Sequence, residues 1–432
     1  MTPPIDDASL IEVQSKAFDY FIHEDNPKNG LVADKTSDGS PASIASVGMA
    51  LSVYAIGVEC GWLTREQARR RTLAALRFFR DAPQSRARDA TGYKGFYYHF
   101  LSMETGRRAG KCELSTVDSA FLFAGMLTAA AYYQQDDPEE TEIRALADAL
   151  YRRADWRWAT NRGATLTHGW RPESGFLRYR WSGYDEALLL YVLALGSPTH
   201  PLPPESYAAW LSTYAWRKIY DTELVFAGPL FVHQYSHVWV DFRGIQDSYM
   251  REKGIDYFEN SRRASLVQRE YAIRNPLEFE GYSENCWGIT ASDGPGWSTH
   301  VIDGVERLFF GYRARGAPFG PDDGTLSPWA VVASLPFAPE IVLPTCRYLQ
   351  EAIGLDRPYG FKASFNPTYP LSRSGRYGWI SPVHFGINQG PIVLMIENHR
   401  NGLLWRIMRE CPYVVSGLRR AGFTGGWLAT RP

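Results

Sequence analysis

Apolar and polar positions alternate along this chain in long blocks. Residues 41–57 contain no charge at all, and a helix that is apolar or small on every side is buried all round. Residues 64–80 are different: Arg65, Glu66, Arg69, Arg70, Arg71 and Arg77 alternate with Leu73, Leu76 and Phe79. That is an amphipathic helix with one face in water. The pairing recurs. Residues 115–133 are almost uncharged and 137–153 are charged; 184–195 are apolar and 203–211 mixed. A short candidate at 245–250 precedes a charged helix at 255–273. Apolar 326–335 precedes 339–353, and apolar 391–397 precedes 403–410. Ahead of them all, residues 9–22 carry a partial stripe of Ile11, Phe18, Phe21 and Ile22, ended by the turn Asn26–Gly30.

The buried members begin near residues 41, 115, 184, 245, 327 and 391. A regular spacing of about 60–80 residues marks a repeat built on helix hairpins. Six buried helices ringed by six amphipathic ones predict an all-α fold, an (α/α)6 barrel or toroid. Strand-like pieces at 93–100 and 230–232 are expected as small β-hairpin decorations on one rim. With no Pro/Ser-rich linker, residues 1–432 read as a single domain.

Charge and composition narrow the partners. A formal net charge of -1 gives no footprint for nucleic acid or an anionic membrane. The five cysteines, Cys60, Cys112, Cys286, Cys346 and Cys411, are far apart and odd in number, so no disulfide framework or zinc knuckle follows. The start shows no basic and apolar leader, which reads as cytoplasmic. The longest mainly apolar runs, 120–133 and 187–195, fall short of a membrane span.

Candidate chemistry concentrates in residues 279–297, where Glu280, Glu284 and Asp293 stand among Phe279, Tyr282, Trp287 and Trp297 and four glycines. Such a run predicts a folded loop displaying carboxylates between flat rings, as a carbohydrate site needs. Two apolar helices also begin with Ser115-Thr116-Val117-Asp118 and Ser182-Gly183-Tyr184-Asp185, which match a capping box with Asp in the acidic position. Capping is one reading of Asp118 and Asp185. The other is function: if the buried helices run the same way, Glu113, Asp118, Asp185 and Glu186 gather on one face with the loop. A helix start lowers a carboxylate's pKa and suits a base or hydroxyl ligand. A general acid needs an apolar neighbourhood, which Trp181 and Tyr184 would give Glu186. His233-Gln234-Tyr235-Ser236-His237 resembles a zinc-protease signature but lacks its glutamate. These histidines are expected to hydrogen-bond a substrate or the core, with no metal and no cofactor.

Longer motifs carry a resemblance to a known family. They are Gln234–Gly244, Gly254–Ala264, Gly281–Asn285, Thr290–Pro295, Asp323–Pro328 and Gln389–Asn398. In this order they resemble the glycoamylase-like family, which includes bacterial endo-β-1,2-glucanases of glycoside hydrolase family 144. The likeness runs from about residue 10 to about 410. It implies a single (α/α)6 barrel that hydrolyses a glucan, best supported for β-1,2 linkages, with inversion at the anomeric carbon and no metal. Glu186 is then the leading general acid. Glu113 and Asp118 position water or substrate. Asp185, Glu284 and Asp293 are substrate-site carboxylates, with a base role open for Glu284 or Asp293, and His233, Tyr235, His237, Tyr282, Trp297 and Gln389 are sugar contacts. The resemblance also implies periplasmic or secreted placement. A transglycosylase on the same glucan and a non-catalytic glucan-binding protein are the alternatives.

Overall fold

The computed structural model describes residues 5–355, 358–370 and 378–430; residues 1–4, part of the start read for a leader, lie outside it. The chain is mostly helical. In order come α1 (Asp7–His23), α2 (Ile44–Glu59), α3 (Arg65–Asp81), α4 (Thr116–Tyr132), α5 (Pro138–Arg152) and the short α6 (Trp156–Ala159). Next are α7 (Leu188–Gly196), α8 (Pro204–Leu211), α9 (Tyr235–Trp239), α10 (Ser248–Lys253) and α11 (Tyr257–Arg274). The last are α12 (Pro328–Ala333), α13 (Pro339–Ile353), α14 (Gly386–Arg400), α15 (Leu403–Arg409), α16 (Pro412–Arg420) and α17 (Gly426–Ala429). No helix among the described residues is long and apolar enough to cross a membrane.

The uncharged runs form the inner helices. Every residue from Ile44 to Gly57 in α2 is buried, as is every residue of α7 and of α12. In α3 only the stripe Ala68, Thr72, Leu73, Ala75, Leu76 and Phe79 is covered, and a Thr64–Gln67 capping box starts the helix. Inner helices touch in sequence: α2 packs on α4, α4 on α7, α7 on α9, α9 on α14, and α14 on both α12 and α2. The backbones of α2 and α4 approach closely. A Cβ on Gly125 would lie 2.1 Å from the Gly48 carbonyl oxygen, and one on Gly48 would lie 2.3 Å from the Phe121 carbonyl oxygen. Neither backbone has room to give. Gly125→Ala is therefore expected to cost about 1–3 kcal/mol by overpacking, read as a lower urea midpoint.

Three details differ from the pattern-based expectation. The fourth inner helix is α9, not residues 245–250. All five residues of α9 are buried, and Leu230–His233, expected in part as a strand, is a 3₁₀ turn leading into it. The helix lying along α7 is α16 from the far end of the chain, because Gly196 and Gly417 let the two backbones meet. Finally, the decorations are larger than isolated hairpins. Strands Gly92–Tyr93, Phe96–Tyr98, Leu114–Ser115, Gly169–Arg171 and Gly175–Phe176 join in that order as one antiparallel sheet. Pairing between distant segments leaves no local periodicity to read.

Candidate active site

A cavity of about 350 Å³ opens where inner helices begin. Ser43 caps α2; Val117 and Asp118 lie in the first turn of α4; Glu186 precedes α7; Phe231 and Tyr235 bracket the entry to α9; Phe385 and Ile387 start α14. Asp34, Lys35, His99, Phe100, Ala291, Asp293 and Tyr312 complete the lining. Four carboxylates thus face one space walled by aromatic rings.

Each carboxylate has its own environment. Burial, and then the charges of Asp118 and Asp185, push Glu186 up to about 8, so it holds its proton at neutral pH. Asp118 is buried and accepts a hydrogen bond from the Ser115 hydroxyl, while its own N–H donates to that oxygen at 3.2 Å. Burial raises Asp34 to about 6, against the opposing pull of His99 and Lys35. Asp293 accepts from Ser381 Oγ at 2.9 Å.

Asp185 and Glu113 stand just behind this wall. Asp185 accepts from the Ala187 N–H at 3.0 Å and from Trp210 Nε1 at 3.1 Å. Burial nonetheless raises it to about 7. The expected capping box at Ser182 does not form, since α7 begins only at Leu188. Glu113 is not on the cavity lining; its Oε1 lies 3.0 Å from His99 Nδ1 and its Oε2 3.5 Å from Arg171. The hydrogen bond from His99 holds Glu113 down at about 2.

The structure gathers Glu186, Asp118, Asp293 and Tyr235 from the sequence candidates and places the others elsewhere. His233 is buried, with Nε2 donating to the Ala227 carbonyl at 3.1 Å. His237 is buried among Phe242, Phe258 and Phe337, 3.0 Å from Ser261 Oγ. Burial pushes His233 to about 4 and His237 to about 3, so both are neutral rings of the interior. Tyr282 donates to Asp322 at 2.7 Å, away from the cavity lining. Glu284 is exposed and pairs with Arg269 at 3.4 Å. Trp297 is 66% exposed, against Phe310 and beneath Arg313. Gln389 is buried and donates to the Phe361 carbonyl at 3.1 Å. The loop 279–297 therefore reaches the cavity only through Ala291 and Asp293.

Sequence reasoning passed over Asp34, Lys35, His99 and Tyr312. The signal for Asp34 and Lys35 was a charged pair directly after buried Leu31, Val32 and Ala33. His99 lies in the run 93–100, read only as a hairpin strand. No local pattern marks Tyr312.

Comparisons with known proteins bear on the family of the chain. Residues 178–412 match the Glycoamylase family model, described as "Putative glucoamylase". A crystal structure from Bacteroides uniformis, named a "putative glucoamylase", is 33% identical, covers 98% of this chain and 99% of its own, and superposes with a TM-score of 0.86. An endo-β-1,2-glucanase from Chitinophaga pinensis, solved with sophorotriose and glucose, is 28% identical over 97% of this chain and 98% of that one, with a TM-score of 0.84. An exo β-1,2-glucooligosaccharide sophorohydrolase (non-reducing end) of Parabacteroides distasonis is 28% identical over 97% of this chain. The chain spans 58% of that curated relative's length. With more than half of its residues matched by the model and a 33% identical structure aligned almost end to end, the chain belongs to the glycoamylase family.

Proposed function

We propose that this chain is a glycoside hydrolase that cleaves β-1,2-glucan with inversion, releasing short β-1,2-glucooligosaccharides. The observation that carries the reading is the pairing in one cavity of Glu186, which keeps its proton at neutral pH, with the Asp118 carboxylate. A glycosidase needs two such groups: one acid to protonate the leaving oxygen and one carboxylate to activate water on the opposite face. Glu186 is the proton donor and Asp118 the water-activating group. Asp34 and Asp293 accept from sugar hydroxyls, and Tyr235, Phe100, Phe385 and Tyr312 cover the C–H faces of the rings. The β-1,2 linkage rests on the substrates of the named relatives. The frame is an (α/α)6 barrel with α2, α4, α7, α9, α12 and α14 as its inner ring, supported by the helix-to-helix contacts that return from α14 to α2.

Linear β-1,2-glucan, starch, laminarin and cellulose are to be compared as substrates of the wild type. Turnover of the first alone, with the new reducing end appearing as the α-anomer by ¹H NMR, is the expected outcome. A β-anomer replaces inversion with retention, and longer or cyclic products turn the hydrolase into a transglycosylase. Binding without turnover on any glucan overturns the enzymatic reading. Glu186 must be protonated to act, so kcat is expected to fall as pH rises through about 8.

A further inference from the structure

His99 and Glu113 are joined at two levels. The His99 N–H donates to the Glu113 carbonyl at 2.9 Å, where their strands run side by side. The side chains repeat the link, with Nδ1 3.0 Å from Glu113 Oε1. The same nitrogen lies 3.7 Å from Asp118 Oδ2. The ring is fixed in a third way, by stacking on Phe100 with centroids 3.9 Å apart. With Nδ1–H given to Glu113, Nε2–H is the donor left on a ring that lines the cavity.

We propose that His99 is a further residue of this active site, a fixed imidazolium that holds the Asp118 carboxylate in place and offers Nε2–H to the water or sugar hydroxyl bound there, with Glu113 as its positioning residue. This rests on the reading of Asp118 as the water-activating carboxylate. It also explains why Glu113 stands off the cavity, spending its two oxygens on His99 and Arg171. The groups facing His99 are Asp34, Lys35, Asp118 and Glu186 on the cavity side and Glu113, backed by Arg171, behind. Burial by itself lowers the imidazole, but the charge of Asp118 and the bond and charge of Glu113 more than offset it and carry it to about 9. A neutral His99 would leave Lys35 as the one cation among the described residues lining the cavity with Asp34, Asp118 and Glu186.

The test is an NMR titration of the His99 ring, identified by its loss in His99→Gln, in wild type, Glu113→Gln and Glu113→Asp, beside pH profiles of kcat and KM. Wild-type His99 is expected to titrate near 9. In Glu113→Gln its midpoint falls by about one pH unit or more, to the Glu186 value of about 8 or below, so the alkaline fall in kcat that Glu186 sets in the wild type begins at lower pH, while KM changes less. Glu113→Asp keeps the charge and restores most of both. A wild-type midpoint at the ordinary histidine value overturns the proposal. So does a midpoint or profile unchanged in Glu113→Gln, or a uniform loss of rate at every pH that tracks lost stability. If the wild type turns over no glucan, the hydrolase reading falls, and the titration still decides whether Glu113 holds His99 charged.

Discussion

Glu186→Gln is expected to lower kcat on linear β-1,2-glucan by about 10²–10⁴-fold, the usual loss of a general acid, with little change in KM. Glutamine keeps the shape and hydrogen-bonding capacity of the protonated acid, so binding survives and proton donation does not. The residual activity should also lose the fall near pH 8 that ionisation of Glu186 imposes, leaving the one set by His99 near 9. Stability moves the other way. Glu186 is raised from 4.5 to about 8 in the fold, by burial first and then by Asp118 and Asp185. The unfolded chain ionises this group at lower pH than the folded one does. Its contribution to stability is therefore greatest below 4.5, falls as pH rises toward about 8, and is level beyond. Glutamine removes that decline, so at pH 7 the variant is expected to be about 1–3 kcal/mol more stable than wild type. An inactive enzyme with a raised urea midpoint marks Glu186 as chemistry maintained at a cost to the fold. Wild-type kcat in the glutamine variant would remove Glu186 from the mechanism.

The second large effect lies beneath the cavity. Arg315 and Asp323 are both wholly buried and meet through two bonds of 2.7 and 2.9 Å. The guanidinium also donates to the carbonyls of Ser292, Asp293, Phe310 and Gly311. One side chain thus ties the segment bearing Asp293 to the segment bearing Tyr312. Arg315→Met leaves Asp323 as an uncompensated buried charge, which costs about 3–5 kcal/mol. The expected result is a lower urea midpoint together with a raised KM, as Asp293 and Tyr312 lose their anchor. Arg315→Lys does not restore either, because an ammonium cannot span both carboxylate oxygens and four carbonyls. A midpoint within about 1 kcal/mol of wild type would show that the pair is dispensable.

What could be read in the sequence followed from local physics. Burial on all sides favours an apolar helix, so α2 and α7 announced themselves by the absence of charge, α4 and α14 by long apolar runs, and α3, α5 and α13 by a one-sided stripe. Glu186 and Asp118 were legible because both stand at the start of such a helix. Other features depended on residues far apart in the chain. The α9 helix is five residues long, too short for a periodic signal, and is recognised only by what packs around it. His233 and His237 looked like ligands by spacing, yet whether a polar ring faces a cavity or the interior depends on the helices beside it. The aromatic loop 279–297 carried the right residue types, but the fold spends most of them on packing and surface pairs and sends only Ala291 and Asp293 to the cavity. His99 became visible only when the strand before it paired with the strand after Glu113, bringing one imidazole between two carboxylates. Local pattern was enough to show that α2, α4, α7, α12 and α14 are buried and that acids stand at the starts of α4 and α7. The tertiary structure alone decided which of those acids share a cavity and which keeps its proton, because a pKa follows from burial and neighbouring charge that no local pattern records.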